Sequence, residues 1–106
     1  MDRYERNIKQ IEDAGKCPSL YFAEKTQSES VELVRVLELI IYNLKHGYDF
    51  GDIKDIYCVT VDELYGEIAD VLNCIKYLKI LLDLDEEKIA RIMCEKVDRG
   101  YERGVE

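Results

Sequence analysis

Residues 60–82 read TVDELYGEIADVLNCIKYLKILL. Thr60 and Glu63 have the spacing of a capping box, in which each side chain satisfies a free backbone N–H of the first helical turn. At about 100° per residue, Ile68, Val71, Leu72, Ile75, Leu78 and Leu82 then fall in one apolar stripe. Asp62, Gly66, Ala69, Asn73 and Lys76 fall on the expected solvent side. This spacing predicts one helix from Thr60 to about Leu82. Glu67 and Asp70 belong to neither face. They share a sector with Cys74, Tyr77 and Leu81, at the border of the apolar surface.

Outward from this helix, the same periodicity recurs. Residues 3–14 read as a short amphipathic helix with Tyr4, Ile8 and Ile11 on one side, ended by Gly15-Lys16-Cys17-Pro18. Ser19–Lys25 is a helical turn or part of the next helix. A second long helix is expected from about Ser28 to Lys45, with Thr26 and Glu29 as its capping box and His46-Gly47 as its stop. Residues 47–59, with two Gly and three Asp, read as a connection with a short turn at Ile53–Tyr57. Asp85 caps a last helix from about Glu86 to Arg103, whose acidic start and basic end suit the helix dipole. The expectation is an all-α chain: one domain over residues 1–106, a four- to five-helix antiparallel bundle completed by oligomerisation.

Bulk composition agrees. The 106 residues suffice for one small domain, and 47% hydrophobic with 36% charged is a globular balance. A net charge of −8 argues against nucleic acid, which recruits basic surfaces. No apolar run approaches the length of a membrane span, and Met1-Asp2-Arg3-Tyr4-Glu5 does not read as a signal peptide. The four cysteines, Cys17, Cys58, Cys74 and Cys94, match no zinc or redox spacing and read as reduced thiols of a cytoplasmic protein. His46, the single histidine, sits at a helix end and has no nucleophile signature beside it.

Acidic pairs three residues apart are common here: Asp2/Glu5, Asp49/Asp52, Asp52/Asp55, Asp83/Glu86 and Glu95/Asp98 all qualify. Spacing alone therefore selects nothing. Position does, because Glu67/Asp70 border the apolar stripe of one helix and Glu29/Glu32 lie away from the solvent side of another, marked by Arg35, Glu38, Tyr42 and Lys45. Carboxylates near a core need protonation, a cationic partner or a metal, and clustered carboxylates raise one another's pKa. Mg²⁺ resolves that conflict with oxygen ligands and normally binds together with substrate phosphates. On the last helix, Lys96, Arg99 and Arg103 extend the row begun by Ile89, Ile92 and Met93. They are either dipole-compensating surface charge or a phosphate clamp.

The segments Glu67-Ile-Ala-Asp70, Leu84-Asp-Glu-Glu-Lys-Ile and Lys96-Val-Asp-Arg99-Gly-Tyr-Glu-Arg103 together resemble the MazG-like nucleotide pyrophosphohydrolases, a branch of the all-α NTP pyrophosphatase superfamily. The likeness covers about residues 20–104. The family's E-x-x-E and E-x-x-D motifs correspond to Glu29-Ser-Val-Glu32 and Glu67-Ile-Ala-Asp70. The resemblance implies that Glu29, Glu32, Glu67 and Asp70 hold Mg²⁺, with Mn²⁺ as a substitute, and that Glu32 is the general base. It implies further that Lys96, Arg99 and Arg103 bind phosphate, and that a homodimer or homotetramer converts a nucleoside triphosphate to monophosphate and pyrophosphate. Phosphoribosyl-ATP and pyrimidine-specific house-cleaning hydrolases belong to the same superfamily. Many members open the first motif with two glutamates, whereas this chain has Ser28. That departure supports the alternative of a catalytically weak or inactive helical regulatory module that still binds nucleotide. The long connection from Glu32 to Glu67 is expected to act as a lid or a subunit contact.

Overall fold

The computed structural model describes residues 1–47 and 54–104. Four helices account for nearly all of them: α1 (Arg3–Asp13), α2 (Pro18–Lys45), α3 (Lys54–Leu81) and α4 (Glu86–Glu102). The all-α expectation holds. Among the described residues no helix is long and apolar enough to cross a membrane.

Local chemistry sets each boundary. The Asp2 carboxylate accepts from the Glu5 backbone N–H at 2.8 Å and caps α1. α2 starts at Pro18, well before the expected Ser28, because proline at the first helical position loses no hydrogen bond and already has helical φ. Thr26 is consequently mid-helix and caps nothing; its hydroxyl donates back to the Phe22 carbonyl at 2.6 Å. α3 likewise starts at Lys54 and runs through Thr60, so that capping box marks no terminus and the turn expected at Ile53–Tyr57 is largely helix. The rest of the expected connection, with its lid or subunit-contact role, lies outside the described residues. Gly47 ends α2 with φ +80°, a conformation that favours glycine. α3 ends with Asp83 at φ +50° while the Leu84 N–H donates to the Lys79 carbonyl at 3.0 Å.

The Asp85 carboxylate accepts from the backbone N–H groups of Glu87 (2.9 Å) and Lys88 (3.2 Å), capping α4. Asp85→Ala is expected to cost about 1 kcal/mol. Urea denaturation followed at 222 nm measures it.

The main packing is between α2 and α3. Phe22, Thr26, Glu29, Leu33, Val36, Ile40 and Asn43, alternately four and three residues apart, form a row of buried or half-buried positions along α2. Glu67, Val71, Cys74, Leu78 and Leu81 repeat that spacing on α3. Such a repeat keeps one seam facing the partner along the whole of both helices. Phe22 faces Tyr77 while Glu29 faces Glu67 and Asp70, so the pair is antiparallel.

This seam corrects the expected orientation of α3. Its packed face is the Glu67–Cys74–Tyr77 sector; of the expected stripe Val71 and Leu78 enter the seam, while Ile68 (40%), Leu72 (59%), Ile75 (37%) and Leu82 (54%) are exposed. Across the seam Tyr77 stacks on Phe22 and the Cys74 thiol meets the Thr26 side chain. α1 lies over the end of the seam. The Tyr4 hydroxyl donates to Asn73 Oδ1 at 2.6 Å, and the Asn7 amide donates to the Tyr77 hydroxyl at 2.6 Å. α4 makes no more than marginal contact with the other helices, and Met93, Val97 and Tyr101 stand exposed on it.

Candidate metal centre

Heptad-like seam positions are normally apolar, yet Glu29 and Glu67 each occupy one. Two turns further along, the seam is conventional: Phe22 stacks on Tyr77 at 3.9 Å between ring centroids, and Cys74 is 3% exposed. The carboxylates therefore enter a surface that is otherwise being dried. Asp70, one turn from Glu67 on the same face of α3, completes a group of three. One oxygen from each of Glu29, Glu67 and Asp70 lies within 4.8 Å of the others. Glu29 and Glu67 are half-buried and Asp70 is exposed, so the group has a covered floor and an open side.

Electrostatics at this point are unfavourable as they stand. Oε2 of Glu67 is covered and has no hydrogen-bond partner among the described residues. Burial, and then the negative charges of Asp70, Glu29, Glu32 and Glu63, push the Glu67 carboxyl above its ordinary range. A covered carboxylate oxygen with no donor costs free energy in the folded state. A hard cation on the open side removes both problems, because it supplies the missing partner and cancels the mutual repulsion. The residues present thus fit a divalent ion with oxygen ligands. Cys74, one turn below Asp70, is not a natural ligand in this state: burial pushes its thiol up, and Lys25 and Thr26 offset that only in part.

Of the four expected ligands, Glu29, Glu67 and Asp70 come together. Glu32 stands beside them, close enough to raise the Glu67 pKa, but its Oε1 is paired with the Arg35 guanidinium at 2.8 Å. Glu32 therefore has a cation from its own helix, and among the described ion pairs none involves Glu67. The Glu32–Arg35 pair is solvent-exposed and local to one helix, so Arg35→Ala is expected to cost less than about 0.5 kcal/mol in a denaturant titration. Lys96, Arg99 and Arg103 are all exposed on α4, and among the described ion pairs none joins them to the carboxylates.

Sequence reasoning missed Lys25. It precedes Glu29 by four residues and so sits one turn away on the same side of α2, exposed, with its charge near enough to offset part of the rise in the Cys74 thiol's pKa. It also missed the aromatic group that α1 closes: Tyr4 tilts against Tyr77 at 4.9 Å, and Tyr21 meets Phe22 edge-on at 5.0 Å. The signal was available in the spacing of Phe22 and Glu29, seven residues apart, which puts both on one seam. Compared with protein-family models, curated proteins and solved structures, the chain gives no match.

Proposed function

We propose that this chain is a Mg²⁺-dependent nucleoside triphosphate pyrophosphohydrolase that releases the monophosphate and pyrophosphate. The observation that carries the reading is the convergence of Glu29, Glu67 and Asp70 within 4.8 Å, with one Glu67 oxygen covered and unpartnered. The resemblance of the two motifs to the MazG-like family supplies the reaction class. Mg²⁺, or Mn²⁺ in its place, supplies charge neutralisation for the phosphates and a lowered pKa for a ligated water. Glu29, Glu67 and Asp70 would hold the cation. Water adds to the α-phosphorus, the bond from that phosphorus to the bridging oxygen breaks, and pyrophosphate departs. Glu32 takes the proton of the attacking water, which requires its carboxylate to exchange Arg35 for the water. Lys96, Arg99 and Arg103 are the phosphate-binding cations of this reading.

The active species is a homodimer or homotetramer. Supporting this are the outward stripe of α3 and the nearly unpacked α4, since proteins that work as monomers seldom expose contiguous apolar surface on this scale. Juxtaposition of α4 from one copy with the carboxylates of another then accounts for a basic row that its own chain leaves free.

A specific observation favours a second reading, a helical module that binds nucleotide without hydrolysing it. Ser28 replaces the usual first glutamate, and Glu32 is held by Arg35. Pyrophosphate release with a panel of ribo- and deoxyribonucleoside triphosphates in Mg²⁺ separates the two. Calorimetric binding of a nonhydrolysable analogue without turnover of any triphosphate selects the module.

A further inference from the structure

Charge is spread unevenly along the chain. Residues 1–25 carry five basic and five acidic side chains, so the whole net charge of −8 lies beyond Lys25. Within this neutral part, α1 and the start of α2 close a cavity of about 160 Å³ against α3. It is lined by Asn7 and Gln10 of α1, Tyr21, Phe22 and Lys25 of α2, and Tyr77 of α3. No Asp or Glu lines it, although the chain has 23 of them. We infer that this cavity is an oxyanion site for one phosphate group, as the free ion or as a monoester. It shares no residue with the carboxylate group and is independent of the hydrolase reading.

Its polar groups bring donors from three helices. Lys25 is exposed, and among the described ion pairs none includes it, although Glu29 is one turn away. Its ammonium carries three N–H donors and is a recurrent phosphate ligand. The Tyr77 hydroxyl accepts from the Asn7 amide at 2.6 Å, which leaves its own hydrogen to donate; among the described hydrogen bonds nothing accepts it. Tyr77 is only 9% exposed, so bulk water is a poor substitute for that acceptor. Gln10 is exposed and enters none of the described side-chain hydrogen bonds, so its amide adds further N–H donors.

Size and shape select among anions. Pockets for whole small-molecule ligands run from about 300 Å³ upward, and one water needs only about 10–15 Å³. The cavity lies between these limits, with room for a phosphate group and not for a nucleotide. A planar carboxylate is held best by the paired N–H groups of an arginine, and no arginine lines the cavity. Separate donors from α1, α2 and α3 suit a tetrahedral anion, whose oxygens point in different directions. The aromatic wall, with Phe22 stacked on Tyr77 and Tyr21 edge-on to Phe22, lowers the local dielectric and strengthens the attraction between Lys25 and an anion.

The test is an NMR titration of the full, metal-free chain with sodium phosphate, against sodium chloride at matched ionic strength, read at the side-chain amide resonances of Asn7 and Gln10. The expected result is a saturable shift with phosphate and none with chloride. Lys25→Met keeps the aliphatic stem of an exposed side chain and removes its charge; it is expected to weaken phosphate binding about tenfold or more. Tyr77→Phe keeps the stack on Phe22 and removes the hydroxyl, for an expected loss of roughly two- to tenfold. Lys45→Met makes the same charge change about 30 Å along α2 and is expected to leave the affinity unchanged. A nucleoside monophosphate in place of phosphate identifies the source: tighter binding than phosphate assigns the site to a monoester, and weaker binding assigns it to the free ion. A shift that does not saturate, or equal affinity of Lys25→Met and Lys45→Met for phosphate, overturns the site.

Discussion

Glu67→Gln is expected to reduce Mg²⁺-dependent pyrophosphate release by well over a hundredfold and, in the same protein, to raise the stability of the metal-free fold. Glutamine keeps the shape of the side chain but not its charge. Loss of a partner that merely orients a metal ligand costs about 10- to 100-fold, so loss of a ligand itself costs more. The gain in stability follows from the covered Oε2, which has no donor, and from the surrounding carboxylates that hold the Glu67 pKa up. A glutamate with a raised folded-state pKa is relatively favourable to folding when protonated. That advantage is present below its unfolded pKa and is lost as the pH rises through the higher folded value. The difference in stability between Glu67→Gln and wild type is therefore small in acid and grows toward neutrality. Added Mg²⁺ reverses the ranking, because at about a hundred times its Kd a ligand stabilises the wild type by about 2.7 kcal/mol. Thermal melts of both proteins, with EDTA and with Mg²⁺, read all of this. Equal melting temperatures at neutral pH, in both media, would contradict the assignment.

Leu72→Asp carries the second large effect. Leu72 is 59% exposed in the single chain, in the middle of the outward stripe of α3 with Ile68 and Ile75. In the proposed oligomer it is buried. Burying a leucine contributes about 1.5–3 kcal/mol, and a two-fold interface counts the position twice. Loss of both copies weakens association by roughly two to four orders of magnitude, before the cost of burying a charge. Wild type is expected at twice the 12.4 kDa chain mass or more at micromolar concentration, and Leu72→Asp at the mass of one chain. Sedimentation equilibrium measures both. A wild-type mass of one chain contradicts the oligomer, and an unchanged Leu72→Asp assembly removes α3 from its interface.

The all-helical architecture and the Asp85 cap of α4 were legible in the sequence, because period and capping are local. The faces were harder. Ile68, Leu72, Ile75 and Leu82 look like the core stripe of α3 by composition, yet the chain buries Cys74 and Tyr77 instead. Which apolar face meets which neighbour depends on the other helix, and on α2 the seam passes through Glu29. The helix starts were misplaced for a related reason. Thr26 and Thr60 have N-cap spacing, but a continuous seam from Phe22 onward, and a helix already running from Lys54, make them interior. At the site, sequence position correctly marked Glu29 and Glu67 as carboxylates drawn toward the packed surface, whereas Asp70, grouped with them, stays exposed. It did not resolve that Arg35 holds Glu32, since an exposed guanidinium three residues away has several rotamers and no pattern announces its choice. The Phe22–Tyr77 stack depends on how α2 pairs with α3, which the pattern of neither helix states alone.

The central claim is that the Glu29/Glu67/Asp70 group serves triphosphate hydrolysis. Its most direct test is pyrophosphate release by the full wild-type chain from a panel of nucleoside triphosphates, with Mg²⁺ and with EDTA. Release is expected from at least one triphosphate in Mg²⁺ and from none in EDTA. No release from any triphosphate by protein shown to be folded would contradict it.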